Sequence, residues 1–508
     1  MAKSAAAFEI TLSERPAKSG MVQWLCEELR RAILENRLKR GMRLPSTREL
    51  ARQYGLSRGT AVVAFEQLHS EGYLEGKTGS GTYVNRLLPE DMLNARRPPD
   101  RGTRRARSVP QLSQFAARLL TAAHARPQPA RAFRGGEPAL DEFPARVWMQ
   151  VASRHWRQGA GRLLGDIDPR GYRPLREAIA DYAGAARGVR CAADEIIIVS
   201  GTQQALSLTA QLTLDAGDAA LVEDPCYFGT RYTLRAAGAR IIPVPVDAHG
   251  MHLAAGRREY ERAKLAYVTP AHQFPLGATM SLERRLALLN WARRTGGLIF
   301  EDDYDSEYRY SGQPIPALQG LDEAGSVVFA GSFSKVLFPG LRLGYVIAPE
   351  ALVEKFASAK FIADFSSAVV DQAVLCDFIT EGHFGRHIRC MRELYAARLA
   401  ALREAVQQKL AGLLRLQEIQ AGMGTVGWLE AGISAKAAEA EATAQGLEVM
   451  AVDRFAIRQR VNEGLLLGFA AVDARELRRG VERLAVALES VRKRHASPSK
   501  GRISHRPA

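Results

Sequence analysis

The sequence predicts a multidomain protein in which a small, mainly α-helical N-terminal module precedes a larger α/β domain. At 508 residues the chain exceeds the size of one compact domain. Residues 1–130 carry 22 Lys and Arg against 12 Asp and Glu, whereas residues 131–490 carry 42 against 43. From residue 132 onward, short apolar runs alternate with amphipathic helical stretches. A basic module joined to a nearly neutral body indicates an anionic partner for the first part alone.

The composition argues against several classes of protein. No run approaches the roughly 20 apolar residues of a membrane-spanning helix, and the start MAKSAAAFEI lacks the apolar core of a signal peptide. The five cysteines show no CxxC spacing, which argues against a structural metal site and for a reducing compartment. We therefore expect a cytoplasmic protein without metal and without a membrane segment.

The N-terminal module begins with a predicted helix over residues 21–40, where apolar residues recur at helical spacing until Gly41. Ser46 or Thr47 is placed to cap a second helix, which we expect to continue to Tyr54. A seam of leucine and valine side chains would hold this helix against the one that follows it.

A sharp turn and a β-hairpin complete the module. Gly55 supplies the turn, and Ser57 can cap a third helix over residues 58–69. The segments GYLEG and GTYVN then flank KTGSG, which predicts a small hairpin with a glycine-rich tip. Two helices at a tight turn followed by a basic hairpin form a winged helix-turn-helix. A helical hairpin used for protein contact is the alternative interpretation.

The segments LPSTRELA, SRGTAVVAFEQLHSEG and GSGTYV closely resemble the GntR family of bacterial regulators. The resemblance implies that this module binds double-stranded DNA, with the hairpin as a wing at the minor groove. The residues that it implies at phosphates, base edges and the groove are Arg48, Ser57, Arg58, Thr60, Lys77 and Gly79.

These patterns define the expected boundaries. Residues 1–85 form the DNA-binding domain, and residues 132–490 form the α/β domain. Residues 86–131 are rich in Pro and Arg, which predicts a flexible linker with a short helix within 111–123. Residues 491–508 contain six Lys and Arg and no acid, and we expect a disordered tail there.

Apolar runs and helical stretches alternate through the body and predict a largely parallel sheet with helices on both faces. Ligands of such sheets bind beyond the carboxyl ends of the strands. Two of the predicted helices cover residues 203–214 and 282–295. The predicted strands lie within residues 195–200, 219–225, 241–246, 265–270, 297–305, 327–335 and 341–349.

Polar side chains follow several of these strands and together favour one ligand. Residues 200–203 close a strand and open a helix, so free backbone N–H groups there can hold a phosphate. Ser332, Ser334 and Arg342 can add hydroxyls and a bidentate guanidinium to the same anion. Lys335 lies among them and can react with an aldehyde.

A second group completes the chemistry. Asp302 ends a strand and can pair with a protonated pyridine nitrogen, and Tyr304, two residues on, can bond a phenolic oxygen. Tyr227 supplies an aromatic surface for stacking. A phosphate, a basic ring nitrogen, a phenolic oxygen and an aldehyde taken by Lys335 describe pyridoxal 5′-phosphate (PLP).

Residues 132–490 resemble fold-type I aminotransferases. The segments VSGTQQAL, EDPCYFG, TPAHQFPLG, EDDYDSEYRY and GSFSKVLFPGLRLGY occur in the expected order. Carried over by position, the resemblance implies that Lys335 forms an aldimine with PLP. It implies that Asp302 binds the ring nitrogen, Tyr304 binds the ring hydroxyl and Tyr227 stacks on the ring. The residues that it implies at the phosphate are Thr202, Gln203, Ser332 and Arg342.

The sequence departs from aminotransferases in two places. The asparagine of the usual NP-x-G turn is missing, and His272 and Gln273 are the candidates for its role. An arginine that binds a substrate carboxylate is expected near residues 464–470, which contain none. Arg458 and Arg460 are the candidate effector-binding residues.

The two halves together resemble the MocR subfamily of GntR-type regulators. The resemblance implies a cytoplasmic, homodimeric regulator that binds PLP and senses PLP or an amino compound through an aldimine on Lys335. No catalytic residue is assigned. The alternatives are an active aminotransferase with an accessory DNA-binding module, and a regulator in which PLP is only structural.

Overall fold

The computed structural model describes residues 12–13, 20–77, 80–89, 111–119, 129–157, 161–165, 168–254, 257–312 and 315–496. The chain divides into two compact units, residues 1–110 and residues 111–508. Within the described part of the chain, no helix combines the length and the apolar character that crossing a membrane requires.

The first unit is a winged helix-turn-helix. Its third helix packs against the first two, and the hairpin strands pair antiparallel beside them. Its elements are the helices Met21–Leu34, Thr47–Gln53 and Arg58–Ser70 and the strands Leu74–Lys77 and Gly81–Val84.

Two local features explain the bounds of these helices. The first helix ends at Leu34 and not near residue 40 as predicted, because Asn36 adopts a φ of 60° and Leu38 turns into the core. Ser46 and Glu49 form a capping box at the start of the second helix. The Ser46 side chain accepts from the Glu49 backbone N–H, and the Glu49 side chain accepts from the Ser46 backbone N–H. Such a cap typically contributes about 1 kcal/mol.

An eight-stranded sheet forms the centre of the second unit and confirms the predicted α/β class. Five adjacent strands are parallel, and Gly344–Ile347 and Gly250–Met251 run antiparallel to their neighbours. The spatial order is Ile196–Val199, Gly344–Ile347, Val327–Ser332, Leu298–Asp303, Ala263–Val268, Ala219–Asp224, Arg240–Asp247 and Gly250–Met251.

Helices and a smaller sheet surround this centre. The smaller sheet has the order Leu414–Leu416, Gly424–Leu429, Gly464–Gly468 and Met450–Ala451, and its pairs are antiparallel. The α-helices are Gln114–Arg118, Ala145–Arg157, Gly161–Leu164, Arg173–Arg187, Thr202–Thr213, Phe228–Ala236, Arg258–Glu261, Leu282–Thr295, Val353–Asp364, Val369–Thr380, His383–Lys409, Ala435–Ala444 and Ala474–Ala496.

Both faces of the large sheet are covered, which is why its strands are almost continuously apolar. Alternate residues of the strand Ile196–Val199 pack into two different hydrophobic cores. Ile196 and Ile198 belong to one core, and Ile197 and Val199 belong to the other. The strand Leu298–Asp303 instead ends in three acidic residues, all buried. Its carboxyl end therefore carries charge into the interior.

Two of these acids are structural. Glu301 accepts hydrogen bonds from the backbone N–H groups of Leu318 and Gln319 at 2.7 and 2.9 Å. Asp303 accepts from Arg187 Nε at 2.7 Å, and both side chains are more than nine-tenths buried. Removing one partner of such a pair typically costs about 3–5 kcal/mol. Asp302 points to the opposite face of the strand.

The predicted tail differs from the structure in its first residues, whereas the predicted linker is described only in part. The helix Ala474–Ala496 continues through residues 491–496 of the expected tail, because Val491 is buried in line with Leu484 and Leu488. Of the linker, residues 90–110 and 120–128 lie outside the described part, and the helix Gln114–Arg118 falls within the stretch predicted to be helical.

Candidate cofactor site and DNA-binding surface

A cavity opens where the parallel strands end. Its polar lining comes from the large sheet and the loops that follow its strands. Its remaining lining comes from the smaller sheet and the chain beside it. The lining residues are Gly135, Gly136, Thr202, Tyr227, Tyr267, His272, Phe274, Pro275, Asp302, Tyr304, Asp305, Lys335, Met423, Gly424 and Leu466.

Lys335 lies just beyond the strand Val327–Ser332 and extends into the cavity. Its Nζ donates a hydrogen bond to the carbonyl oxygen of Gly136 at 2.6 Å. Burial lowers the pKa of this amine, while the carboxylates of Asp305 and Asp302 act in the opposite direction. A lysine with a depressed pKa has a larger neutral, nucleophilic fraction at neutral pH.

Asp302 lies in the same cavity with one oxygen satisfied and one not. Its Oδ2 accepts from the hydroxyl of Tyr267 at 2.7 Å, whereas its buried Oδ1 has no partner among the described residues. Burial raises the pKa of this carboxyl to about 7, although the bond from Tyr267 lowers it. A cationic N–H donor would satisfy Oδ1 and favour the ionised form.

His272 also lines the cavity and contacts both Asp305 and Tyr304. Its Nδ1 lies 3.0 Å from Asp305 Oδ1, and the Tyr304 hydroxyl donates to the His272 carbonyl oxygen at 3.0 Å. Because Asp305 accepts the Nδ1 proton, the ring orientation is fixed and Nε2 is left buried without a partner in the described chain.

The structure separates the two candidates for the missing asparagine. Gln273 is buried but does not line the cavity. Its amide nitrogen donates to the carbonyl oxygens of Pro225 and Phe274 at 2.8 and 2.7 Å, and its amide oxygen accepts from Leu276 N at 3.1 Å. Gln273 therefore holds the turn, and His272 is the candidate that reaches the cavity.

The predicted phosphate residues lie around the start of the helix Thr202–Thr213. Gly201, with a φ of 131°, precedes that helix, and Thr202 lines the cavity. A Cβ built on Gly201 would lie 3.9 Å from Arg342 Nη2. The backbone N–H of Ser334 donates to Ser332 Oγ at 3.2 Å, and the buried Ser334 Oγ has no partner in the described chain.

Gln203 and Arg342, which were predicted to bind the phosphate, do not line the cavity. Both line an adjoining hollow and not the cavity itself. The Gln203 side chain donates to Thr233 Oγ1 and to the carbonyl oxygen of Gly229, so only its backbone N–H remains at the helix start.

Tyr227 immediately precedes the helix Phe228–Ala236, and its ring lines the cavity. Its ring centroid lies 5.9 Å from that of Phe274 in an edge-on contact. This contact fixes the ring while leaving its side chain 39% exposed. An aromatic surface is therefore available beside Asp302.

Arg458 and Arg460 are both exposed and do not line the cavity. The backbone N–H of Arg458 donates to Asp224 Oδ2 at 2.7 Å, which holds this loop through its main chain. Sequence reasoning also missed Tyr267 and Asp305. Their signals were weak, since Tyr267 lies inside an apolar strand and Asp305 is one of several acids in EDDYD.

In the first unit, Arg48, Arg58 and Ser57 are exposed at the helix-turn-helix, and Thr60 is partly exposed. Ser57 Oγ accepts from Thr60 N at 3.0 Å, so this hydroxyl caps the third helix. Arg58 is the first residue of that helix, where free N–H groups and the helix dipole favour a phosphate.

On the wing, Lys77 is exposed, and its Nζ lies 5.2 Å from the ring centroid of Tyr83. This contact holds the ammonium group of Lys77 beside the hairpin. Gly79, the other wing candidate, lies outside the described residues.

Comparison with known proteins matches both units. Residues 23–84 match the family "Bacterial regulatory proteins, gntR family", and residues 134–484 match "Aminotransferase class I and II". The chain is 38% identical to the probable rhizopine catabolism regulatory protein MocR of Rhizobium meliloti, over 94% of this chain and 96% of that one. The chain belongs to the MocR-type GntR regulators.

Other matches agree with this membership. The pyridoxine biosynthesis regulator PdxR of Corynebacterium glutamicum is 30% identical over 89% of this chain and 93% of its own. Among solved structures, the α-aminoadipate aminotransferase LysN of Thermus thermophilus is 30% identical with a TM-score of 0.68, covering 75% of this chain and 97% of its own. This MocR-type chain thus combines a DNA-binding domain with an aminotransferase fold, and that fold family implies PLP binding.

Asp302→Asn tests the electrostatics of the cavity in cofactor-free protein. The folded pKa of Asp302, about 7, lies above its ordinary value of 3.8. The stabilising contribution of its protonated form is therefore present below about pH 4 and lost as the pH rises through 7. Because Asn does not titrate, the stability of the variant relative to wild type should increase by roughly 2 kcal/mol between pH 5 and pH 8.

Urea denaturation at the two pH values measures this difference. Asp181→Asn, at an exposed position of the helix Arg173–Arg187, is the matched control and should show a much smaller change. Equal behaviour of the two variants would contradict a buried, uncompensated acid at position 302.

Proposed function

We propose that this regulator binds PLP on Lys335 and senses a primary amine there, and that the occupied site alters how the winged helices bind DNA. The observation that carries this proposal is one cavity in which a partly buried lysine with a lowered pKa lies with Asp302, whose Oδ1 has no partner among the described residues. The same chain carries a GntR-type DNA-binding domain.

Three buried polar atoms that lack a partner among the described residues, Asp302 Oδ1, His272 Nε2 and Ser334 Oγ, are of the kinds that PLP would satisfy. Asp302 Oδ1 can accept from a pyridinium N–H, and His272 Nε2 and the Tyr304 hydroxyl can contact the ring hydroxyl. Tyr227 can stack on the ring. When bound, PLP supplies an aldehyde that reacts reversibly with primary amines.

The phosphate would lie at the start of the helix Thr202–Thr213. The first N–H groups of that helix have no partner within the helix and carry its positive dipole end. Ser334 Oγ, Ser332 Oγ and the Arg342 guanidinium can complete the anion site from the loop after the strand Val327–Ser332. Gln203 contributes its backbone N–H, because its side chain is bound elsewhere.

Turnover as an aminotransferase is the second candidate, favoured by the Lys335 and Asp302 geometry itself. Two observations favour a sensor. The relatives found over nearly the full chain are regulators. No arginine lines the cavity in the described residues, so an amino-acid substrate would lack a partner for its carboxylate. Steady-state assays with a panel of amino and keto acids discriminate the two candidates.

We further propose that the protein is a homodimer that works in the cytoplasm. The second unit exposes several large apolar side chains, including Met149, Trp156, Ile362 and Phe365. Exposed apolar groups of this size are typical of protein interfaces. A dimer would present two winged helices to an operator, and linking two modules raises the affinity for DNA.

Lys335→Ala tests the cofactor assignment. Wild-type protein incubated with PLP and reduced with borohydride should yield a peptide that carries the cofactor on Lys335. The variant should fold and should lose this covalent adduct, because the other contacts remain. Mass spectrometry of the digest measures the adduct, with Lys355→Ala, at an exposed position, as the matched control. An adduct on another lysine of the variant in equal yield would refute the assignment.

Arg58→Ala tests the DNA-binding surface of the full-length protein. Operator fragments are first selected from genomic DNA by the wild type. Loss of a base contact should weaken specific binding by roughly 1–3 kcal/mol. Fluorescence anisotropy measures the affinity, and Arg173→Ala in the second unit controls for the loss of one charge. Unchanged affinity of a folded Arg58→Ala protein would exclude Arg58 from recognition.

A further inference from the structure

Five of the cavity residues form an apolar wall that the proposed cofactor contacts leave unused: Gly135, Gly136, Met423, Gly424 and Leu466. Gly424 and Leu466 lie on adjacent strands of the smaller sheet. The chain beside this sheet is tied to it, because the Gly468 backbone N–H donates to the Phe133 carbonyl oxygen at 3.0 Å.

This wall is continuous and closely packed. A Cβ built on Gly135 would lie 3.5 Å from Leu466 Cδ2. Leu466 is only 6% exposed, and Met423 is 2% exposed. Within the described residues, the wall therefore presents aliphatic carbon, a thioether and backbone, but no cationic side chain.

The cationic side chain next to the wall is already engaged in ion pairs. Arg134 is next to Gly135 in sequence, but its guanidinium binds Glu448 at 2.8 Å and Glu137 at 2.9 Å. In the described chain, the only lysine or arginine that lines the cavity is Lys335, alongside the carboxyl groups of Asp302 and Asp305. An added carboxylate would meet like charge and no free cation.

We infer that the effector is a primary amine without a carboxylate, whose hydrocarbon part packs against the wall at Met423 and Leu466. A buried carboxylate requires a cationic or hydrogen-bonding partner, and leaving it unpaired is costly. An alkyl or aralkyl amine meets no such cost and gains from apolar burial. A flexible methionine side chain, such as that of Met423, can adapt to ligands of different shape. This inference rests on the proposed function.

Matched pairs of ligands test the inference on full-length, PLP-loaded protein. In each pair the amine and its carboxylated counterpart share a hydrocarbon skeleton: 2-phenylethylamine with L-phenylalanine, and hexylamine with 6-aminohexanoate. Isothermal titration calorimetry gives the dissociation constants, and the absorption spectrum of the bound cofactor gives an independent readout. The amines should bind more tightly than their counterparts by roughly tenfold or more.

Leu466→Arg should reverse this preference, because it adds a cation to the wall. Leu466→Met is the matched control, since it conserves size without adding charge. Circular dichroism verifies folding of both variants. If Leu466→Arg does not fold, the wild-type ligand pairs decide alone.

The outcomes separate this inference from the proposed function. Carboxylated ligands that bind PLP-loaded wild type as tightly as the amines would overturn the inference and leave the cofactor assignment intact. Failure of both members of each pair to bind at millimolar concentration would overturn it as well. Failure of wild type to bind PLP at Lys335 would instead overturn the proposed function.

Discussion

Burial of charge at the carboxyl end of one strand constrains the second unit more than any other feature. The strand Leu298–Asp303 ends in three consecutive acids inside the protein. Because side chains alternate along a strand, Glu301 and Asp303 project to one face and Asp302 to the other. On the first face, Glu301 accepts hydrogen bonds from backbone N–H groups and Asp303 accepts one from Arg187. On the second face, one carboxylate oxygen of Asp302 has no hydrogen-bond partner among the residues that the structure describes.

This asymmetry has an energetic consequence. Desolvation raises the pKa values of Glu223, Glu301 and Asp302, each to about 7, so the interior around the cavity resists negative charge. A ligand that brings a cationic ring nitrogen to Asp302 relieves part of this cost and thereby stabilises the folded unit. The same field disfavours a second anion beyond the phosphate site. The proposed cofactor contacts and the inferred effector preference would thus have one physical origin.

Much of this arrangement was predictable from sequence, because the relevant residues occur at strand ends and helix starts. The positions of Lys335, Asp302 and Tyr304 follow from strands whose apolar runs are unambiguous. The second partner of an interaction was harder to predict. Asp305 orients His272, and Tyr267 binds Asp302. Both contacts depend on which strands lie next to each other in the sheet. That order is set by the crossover connections between the strands. The apolar wall was invisible for the same reason, since Gly135 and Leu466 lie far apart in sequence.

In the proposed regulator, occupancy of the Lys335 cavity and binding of DNA are thermodynamically coupled. The most direct test measures the affinity of PLP-loaded protein for an amine effector with and without saturating operator, and the operator affinity with and without that amine. Coupling requires both ratios to be equal, and a factor of about 5–150 would be typical of such linkage. We predict equal ratios that differ from one. Ratios of one in both directions, for the amines and for PLP itself, would exclude coupling between the Lys335 cavity and DNA binding.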